Sequence, residues 1–210
     1  MTDLTGNTFF DGPAGRLEAI LKSPDTRVDK AAIVCHPHPL FGGTMHNKVV
    51  YRIARAFQDR GFAVLRFNFR GTGKSEGEHD QGRGEQDDLR AAIEFMNGRY
   101  AEGQLWLAGF SFGAVVTLRV ALGENRSRGV VAVGTPVARY DFGNLDSFTK
   151  PKLFVQGGHD ELASVAELEQ FVNQAPEPKQ FRVIDGADHF FDGHLAELAS
   201  VVSDFVARYE

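Results

Sequence analysis

The sequence predicts an α/β protein built on one mostly parallel sheet with helices on both faces. Three observations carry this. Short unbroken apolar runs recur along the chain, each bounded by Gly, Pro or Asp, and segments with helical periodicity separate them. Runs of this length suit strands buried on both faces, and a helix between consecutive strands makes their pairing parallel. With 210 residues, 42% hydrophobic and 24% charged, the chain has the size and composition of one globular domain, residues 1–210.

The elements follow in order. The segments "GNTFFDG" (6–12) and "GRLEAILKS" (15–23) alternate in part, and the turn "GPAG" between them predicts an antiparallel hairpin. Buried strands are expected at "AAIVC" (31–35), "FAVLRFNF" (62–69), "QLWLAGF" (104–110), "GVVAVG" (129–134), "KLFVQG" (152–157) and "QFRVID" (180–185), about eight strands in all. Between residues 45 and 61 a helical stripe of Val49, Ile53, Ala56 and Phe57 stops at Gly61. Residues 85–98 place Leu89, Ala92, Ile93 and Met96 on one face, open with acids that suit the helix dipole, and stop at Gly98. Segments 112–122, 162–174 and 193–208 carry similar stripes.

Composition excludes several function classes. A net charge of −5 with scattered Lys and Arg argues against a nucleic-acid partner. One cysteine, Cys35, excludes an intramolecular disulfide and fits a reducing compartment. The N-terminal stretch "MTDLTGNTFFDG" has neither a basic nor an apolar leader region, and no apolar run approaches the roughly 18 residues of a membrane span. The expected location is the cytoplasm.

One stretch needs separating from a false lead. "GTGKS" (71–75) looks like the tail of a phosphate-binding loop, but that motif needs a glycine five residues before Gly73, where this chain has Asn68. The stretch also follows the fourth strand and runs into no immediate helix.

The chemistry-bearing signal is "LWLAGFSFGAVVTLRVAL" (105–122). An apolar strand runs into Gly109-Phe110-Ser111-Phe112-Gly113 and a helix pattern follows at once, the context a G-x-S-x-G nucleophile elbow requires. The serine must sit on a sharp turn with Oγ exposed, and flanking glycines leave room where a Cβ would clash. A serine hydroxyl is a poor nucleophile and needs an adjacent base held by a carboxylate. Chain order supplies both: Asp160 follows the seventh strand in "GGHD", and His189 follows the eighth in "GADHFF". Glu161, Asp185 and Asp188 are competing acids, with Asp160 in the best turn position. His189 would take the serine proton, and Asp160 would orient and charge-stabilise the imidazole.

With these motifs, "HPHPLFGGTM" and "FNFRGTGKSEG", the chain resembles the α/β-hydrolase superfamily over nearly its whole length, and within it the small bacterial serine hydrolases and esterases. Dienelactone hydrolases share the fold with a cysteine nucleophile; the serine here points away from that activity. The resemblance implies that "FRGTGKSEG" braces the active-site edge and binds no phosphate. It implies an oxyanion hole made of the Phe112 N–H and one N–H from "HPHPLFGG". Pro37 and Pro39 carry no N–H, so the second donor is His38 or Leu40, with His38 favoured by analogy with His-Gly-x loops.

His36, His38 and His46 can also be read as a zinc cluster, but the hydrolase loop already accounts for two of them, and neither metal nor cofactor is expected. Only "TPVARYDFGNLDSFTK" (135–150) separates the sixth and seventh strands, too little for a cap domain. The site should therefore be open, with Phe41, Phe112 and Phe190 as candidate pocket walls and Phe191 beside them. The expected substrate is a small ester. Acyl transfer, perhydrolysis or amide cleavage with the same three residues, and a non-catalytic binding scaffold, are the alternatives.

Overall fold

A computed structural model describes residues 6–25, 28–100, 104–143 and 146–210. Residues 1–5, on which part of the leader expectation rests, and residues 144–145 of the short β6–β7 segment lie outside the described residues. The chain forms one eight-stranded sheet in the order β1-β2-β4-β3-β5-β6-β7-β8. The strands are β1 (Gly6–Gly12), β2 (Gly15–Lys22), β3 (Lys30–Cys35), β4 (Ala63–Phe67), β5 (Gln104–Phe110), β6 (Ser127–Val133), β7 (Lys152–Gly157) and β8 (Lys179–Ile184). β1 pairs antiparallel with β2 across the Pro13-Ala14 turn, β2 pairs antiparallel with β4, and every other pairing is parallel.

Four helices cross over between strands, α1 (Lys48–Gln58), α2 (Gly84–Asn97), α3 (Phe112–Gly123) and α4 (Val165–Gln174), and a fifth, α5 (Leu195–Ala207), follows β8. The two-residue period of each strand divides its apolar residues between two cores. Ala31, Ile33, Leu105, Leu107, Val130 and Ala132 face α2, α3 and α4, packing with Ile93, Val115 and Leu168. Ala32, Val34, Trp106, Ala108, Val131 and Val133 face α1 and α5, packing with Ile53, Phe57 and Phe205. The centre of the sheet is thus covered on both sides, which is why its strands read as unbroken apolar runs.

Element ends moved where polar groups claimed the backbone. β4 stops at Phe67 because the Phe69 N–H is taken by the His36 ring at 3.0 Å. α4 begins at Val165 rather than 162, since the Asp160 carboxylate holds the N–H groups of Leu162 (2.8 Å) and Ala163 (2.9 Å) in a turn. α1 starts after Asn47, whose side-chain oxygen accepts from Val49 N–H at 2.9 Å. Gly61 has φ +83° but lies two residues beyond the cap of α1, Asp59. Gly98 does cap α2, yet in a right-handed conformation (φ −62°) that any residue adopts. No helix among the described residues is long and apolar enough to cross a membrane.

The "GTGKS" stretch packs against β2. The Glu18 carboxylate accepts the Lys74 N–H and the Asn68 Nδ2–H, both at 2.9 Å, and the Ser75 hydroxyl bridges the Asn68 carbonyl (2.7 Å) and the Glu18 N–H (2.9 Å). An internal carboxylate occupies donors that a phosphate would need. Arg70 then ties the same loop to α2, with Nη2 2.7 Å from buried Asp88.

Candidate active site

The turn between β5 and α3 is tightly constrained. Ser111 sits at φ +55°, ψ −118°, a region that costs a residue with a Cβ about 1–3 kcal/mol. Close approach on either side holds it there. A Cβ on Gly109 would meet the Gly113 carbonyl oxygen at 2.2 Å, and one on Gly113 would meet the carbonyl oxygens of Cys35 and His36, each at 2.5 Å. The Ser111 N–H closes the turn on Val133 O at 2.8 Å, anchoring it to β6. Oγ is left at the carboxyl edge of the sheet, half-exposed.

The loops after β7 and β8 meet this edge. A Cβ on Gly157 would touch the carbonyl oxygens of Ala187 and Asp188 at 2.5 and 2.6 Å, so that glycine lets the two loops touch. His189 Nε2 lies 3.1 Å from Ser111 Oγ, and its Nδ1 lies 2.7 Å from Asp160 Oδ2. The Asp160 side chain is fully buried, and four donors converge on it: His189, Gln156 Nε2 at 2.6 Å, and the N–H groups of Leu162 and Ala163. Four hydrogen bonds to a carboxylate offset its desolvation and fix its orientation. Of the competing acids, Asp188 turns away to accept the Asp192 N–H at 2.9 Å.

The loop after β3 forms the opposite wall. His36 is fully buried; its Nδ1 donates to Pro37 O at 2.6 Å and its Nε2 accepts the Phe69 N–H at 3.0 Å. Both ring nitrogens are engaged, and burial pushes the imidazole down to about 4, so the ring is neutral at neutral pH. Leu40 N–H points back to His38 Nδ1 at 3.3 Å, and its side chain is 71% exposed. The N–H groups of His38 and Phe112, by contrast, donate to no group among the described residues. Cys35 is a core thiol that burial pushes up to about 12. His46 is exposed, and among the described residues no cluster of His, Cys, Asp or Glu is arranged to hold a metal.

A cavity of about 560 Å³ opens over Ser111. Of the aromatic residues singled out from sequence, Phe41, Phe112 and Phe190 line it together with His38. Phe41 is 87% exposed, its ring resting 4.8 Å from that of His38, whereas Phe112 is buried. Phe191 is wholly buried in the core beneath. Leu40 lies outside this cavity, in an adjoining groove with His79 and Gln81. Sequence reasoning missed Gln156, Arg139, Tyr140 and Leu162. Gln156 had a signal, a lone amide inside a buried apolar strand; the other three had none, because their approach depends on how the loops pack.

A serine on a strained strand-to-helix turn, backed by histidine and a buried carboxylate at the carboxyl edge of an α/β sheet, defines the class of the serine hydrolases. The α/β hydrolase domain profile matches residues 31–200, and the chain belongs to that family. It superposes on an α/β serine hydrolase homologue from Coxiella burnetii with a TM-score of 0.90 at 39% identity, covering 97% of each chain. It superposes on a Xanthomonas campestris member of the α/β serine hydrolases without a lid with a TM-score of 0.91 at 36% identity, covering 100% of this chain and 96% of that one. An uncharacterized protein of Rickettsia prowazekii is 35% identical over 208 residues, covering 94% of this chain and 87% of the relative. The chain is itself lidless in form: between β6 and β7 the described residues hold one 3-10 turn, Val137–Arg139.

Two outcomes follow from this geometry. Gly113→Ala forces a Cβ against two backbone carbonyls that cannot swing away, and should lower stability in urea unfolding by about 2–3 kcal/mol. Gly123→Ala, in open space at the far end of the same helix, should cost nothing, and equal losses at both sites would remove the close-contact explanation.

The second outcome concerns His36. Its folded-state value of about 4 lies below the ordinary 6.5, so the unfolded chain binds the proton more readily. The stability held by the neutral ring is complete above about pH 6.5 and lost as pH falls toward about 4. At 1.36 kcal/mol per pH unit, wild type should lose about 2 kcal/mol between pH 7.5 and 5 that His36→Gln does not lose. Parallel pH profiles for the two proteins would show that the ring is not held neutral.

Proposed function

We propose that the protein hydrolyses small carboxylic esters through an acyl-enzyme on Ser111. The observation that carries the reading is the continuous chain Ser111 Oγ, His189, Asp160, with links of 3.1 and 2.7 Å. The buried Asp160 accepts Nδ1–H, which leaves Nε2 with its lone pair toward Ser111. As Oγ attacks the ester carbonyl, its proton passes to Nε2; the C–O bond to the leaving group then breaks and the alkoxide departs with that proton as the alcohol. A water molecule repeats the sequence on the acyl-enzyme, giving its proton to Nε2, and the released acid frees Oγ, which recovers a proton from Nε2. The oxyanion is received by the N–H groups of Phe112 and His38. Both groups are uncommitted, and both residues line the same cavity as Ser111. Leu40, the other candidate, has its N–H engaged and lies outside that cavity.

Ser111→Ala should lower kcat on a chromogenic short-chain ester by about 10⁴- to 10⁶-fold and abolish labelling by a fluorophosphonate, with the fold retained. A labelled peptide that lacks Ser111, or unchanged turnover, ends this reading and leaves the scaffold alternative.

The open cavity sets the acyl preference. Its walls beside Ser111 are loop side chains such as Phe41 and Phe190, themselves in contact with solvent, so they shield only the first few methylenes. Each buried methylene is worth about 0.8 kcal/mol, so kcat/KM should climb over the first few acyl carbons and then level off. A p-nitrophenyl ester series from acetate to palmitate should show this plateau and no rate jump at the micellar transition. A maximum at the longest chains would mean that the site is covered.

A further inference from the structure

We propose that the substrate carries a carboxylate beside its ester and that Arg139 selects it. This deepens the ester-hydrolase reading and rests on it for the position of the reacting bond. Although acidic residues outnumber basic ones 28 to 23 in the chain, among the described residues no carboxylate lines the cavity over Ser111, and Arg139 is the single formally charged side chain that does. Several cations elsewhere face acids: Arg16 meets Glu76, Arg55 meets Asp59, Arg70 meets Asp88, and Lys48, stacked on the Phe190 ring, meets Asp192. The Arg139 side chain makes no ion pair or hydrogen bond with any described residue, and it stands at the mouth on the 3-10 turn after β6.

Its surroundings sharpen the assignment. Tyr140 lines the same wall, and burial raises its hydroxyl above the ordinary value, so it remains a donor. The neighbouring Arg119 cannot substitute, because its Nε and Nη2 are spent on Asp141 O at 2.9 and 2.8 Å while it covers the Tyr140 ring at 5.6 Å. His38 is no second cation either, since burial and the nearby His79 lower it below the ordinary histidine value. Across the mouth, Phe41, Leu162 and Phe190 offer exposed apolar surface. The cavity therefore fits an ester with an apolar body and one anionic end, held by a planar guanidinium with free donors.

The carboxylate can sit on either side of the scissile bond, and two matched substrate pairs separate these cases. The mono-4-nitrophenyl ester of adipic acid against 4-nitrophenyl hexanoate places the charge on the acyl side. 4-Acetoxybenzoate against phenyl acetate places it on the leaving group. An ion pair at an open mouth predicts a preference in kcat/KM of roughly three- to tenfold for the anionic member of one pair, shrinking as salt rises from 0.05 to 0.5 M. In Arg139→Gln that ratio should fall to about one. Ratios at or below one in both pairs, or a preference that survives Arg139→Gln, overturn the proposal. Equilibrium binding to Ser111→Ala protein tests recognition without any cleavage: adipate and benzoate should bind more tightly than 1,6-hexanediol and benzyl alcohol, and lose that margin with Arg139→Gln. Anion binding without ester turnover would sink the hydrolase reading and keep the site; turnover without anion preference would do the reverse.

Discussion

Everything at the carboxyl edge of the sheet depends on one close backbone contact, the seating of Gly113 against the carbonyl oxygens of Cys35 and His36. It brings the first turn of α3 flush against the end of β3. With that approach fixed, and with the Ser111 N–H bonded to β6, the intervening residue has no relaxed conformation available and takes φ +55°. Strain of this kind persists only where the surroundings over-determine it, and here two glycines and three parallel strands do so. The cost is about 1–3 kcal/mol, small against the burial of an eight-stranded core yet large enough to require a purpose. Its consequence is a hydroxyl held clear of the sheet with the uncommitted Phe112 N–H beside it.

The loops around that contact are tied by polar groups as well as by the packing of Phe69 on His36 and Phe112. His36 joins the β3 loop to the β4 loop, Glu18 and Asn68 join the β4 loop to β2, and Arg70 with Asp88 joins it to α2. Each is a buried or half-buried group with its partners present, so each bond also removes a desolvation cost that its partner alone would carry. The geometry of the Ser111 edge thus follows from a sequence of mutual obligations running outward from the sheet. Apolar contacts alone, being non-directional, would leave the loops free to slide.

Most of the fold was legible in the sequence because it obeys local rules. All eight strands and all five helices were expected, and the starts of β2 and α3 and the limits of β5 and β7 were read to the residue, since apolar runs end where Gly or a turn begins. Two of the misread ends, at β4 and α4, are places where a side chain captured a backbone N–H: the ring of His36, distant in sequence, at Phe69, and the Asp160 carboxylate, two residues away, at Leu162. The approach of Ser111, Asp160 and His189 was legible for a different reason. Parallel crossovers put every β-to-α loop on one edge, so chain order alone brings such residues together. Arg139 and Tyr140 were invisible. They sit on a segment with no periodicity, and only the packed structure shows that it turns toward the serine.

That division has a physical meaning for specificity. Ser111, His189 and Asp160 hang on strand ends whose positions are fixed by backbone contacts and converging hydrogen bonds, and the Asp160 carboxylate with four donors admits almost no freedom. The rim is built in the opposite way. Leu40 and Phe41 are exposed side chains on a short 3-10 turn, and Arg139 stands on another; little beyond local hydrogen bonds restrains any of them. Substitutions at the rim change shape or charge without disturbing an obligatory bond, whereas substitutions at the edge leave a buried group unpaired. On the proposed reading, chemistry and selectivity therefore occupy different structural tiers of this fold. The tier that could vary freely without harm to folding is the one that, in the proposed reaction, meets the variable part of a substrate.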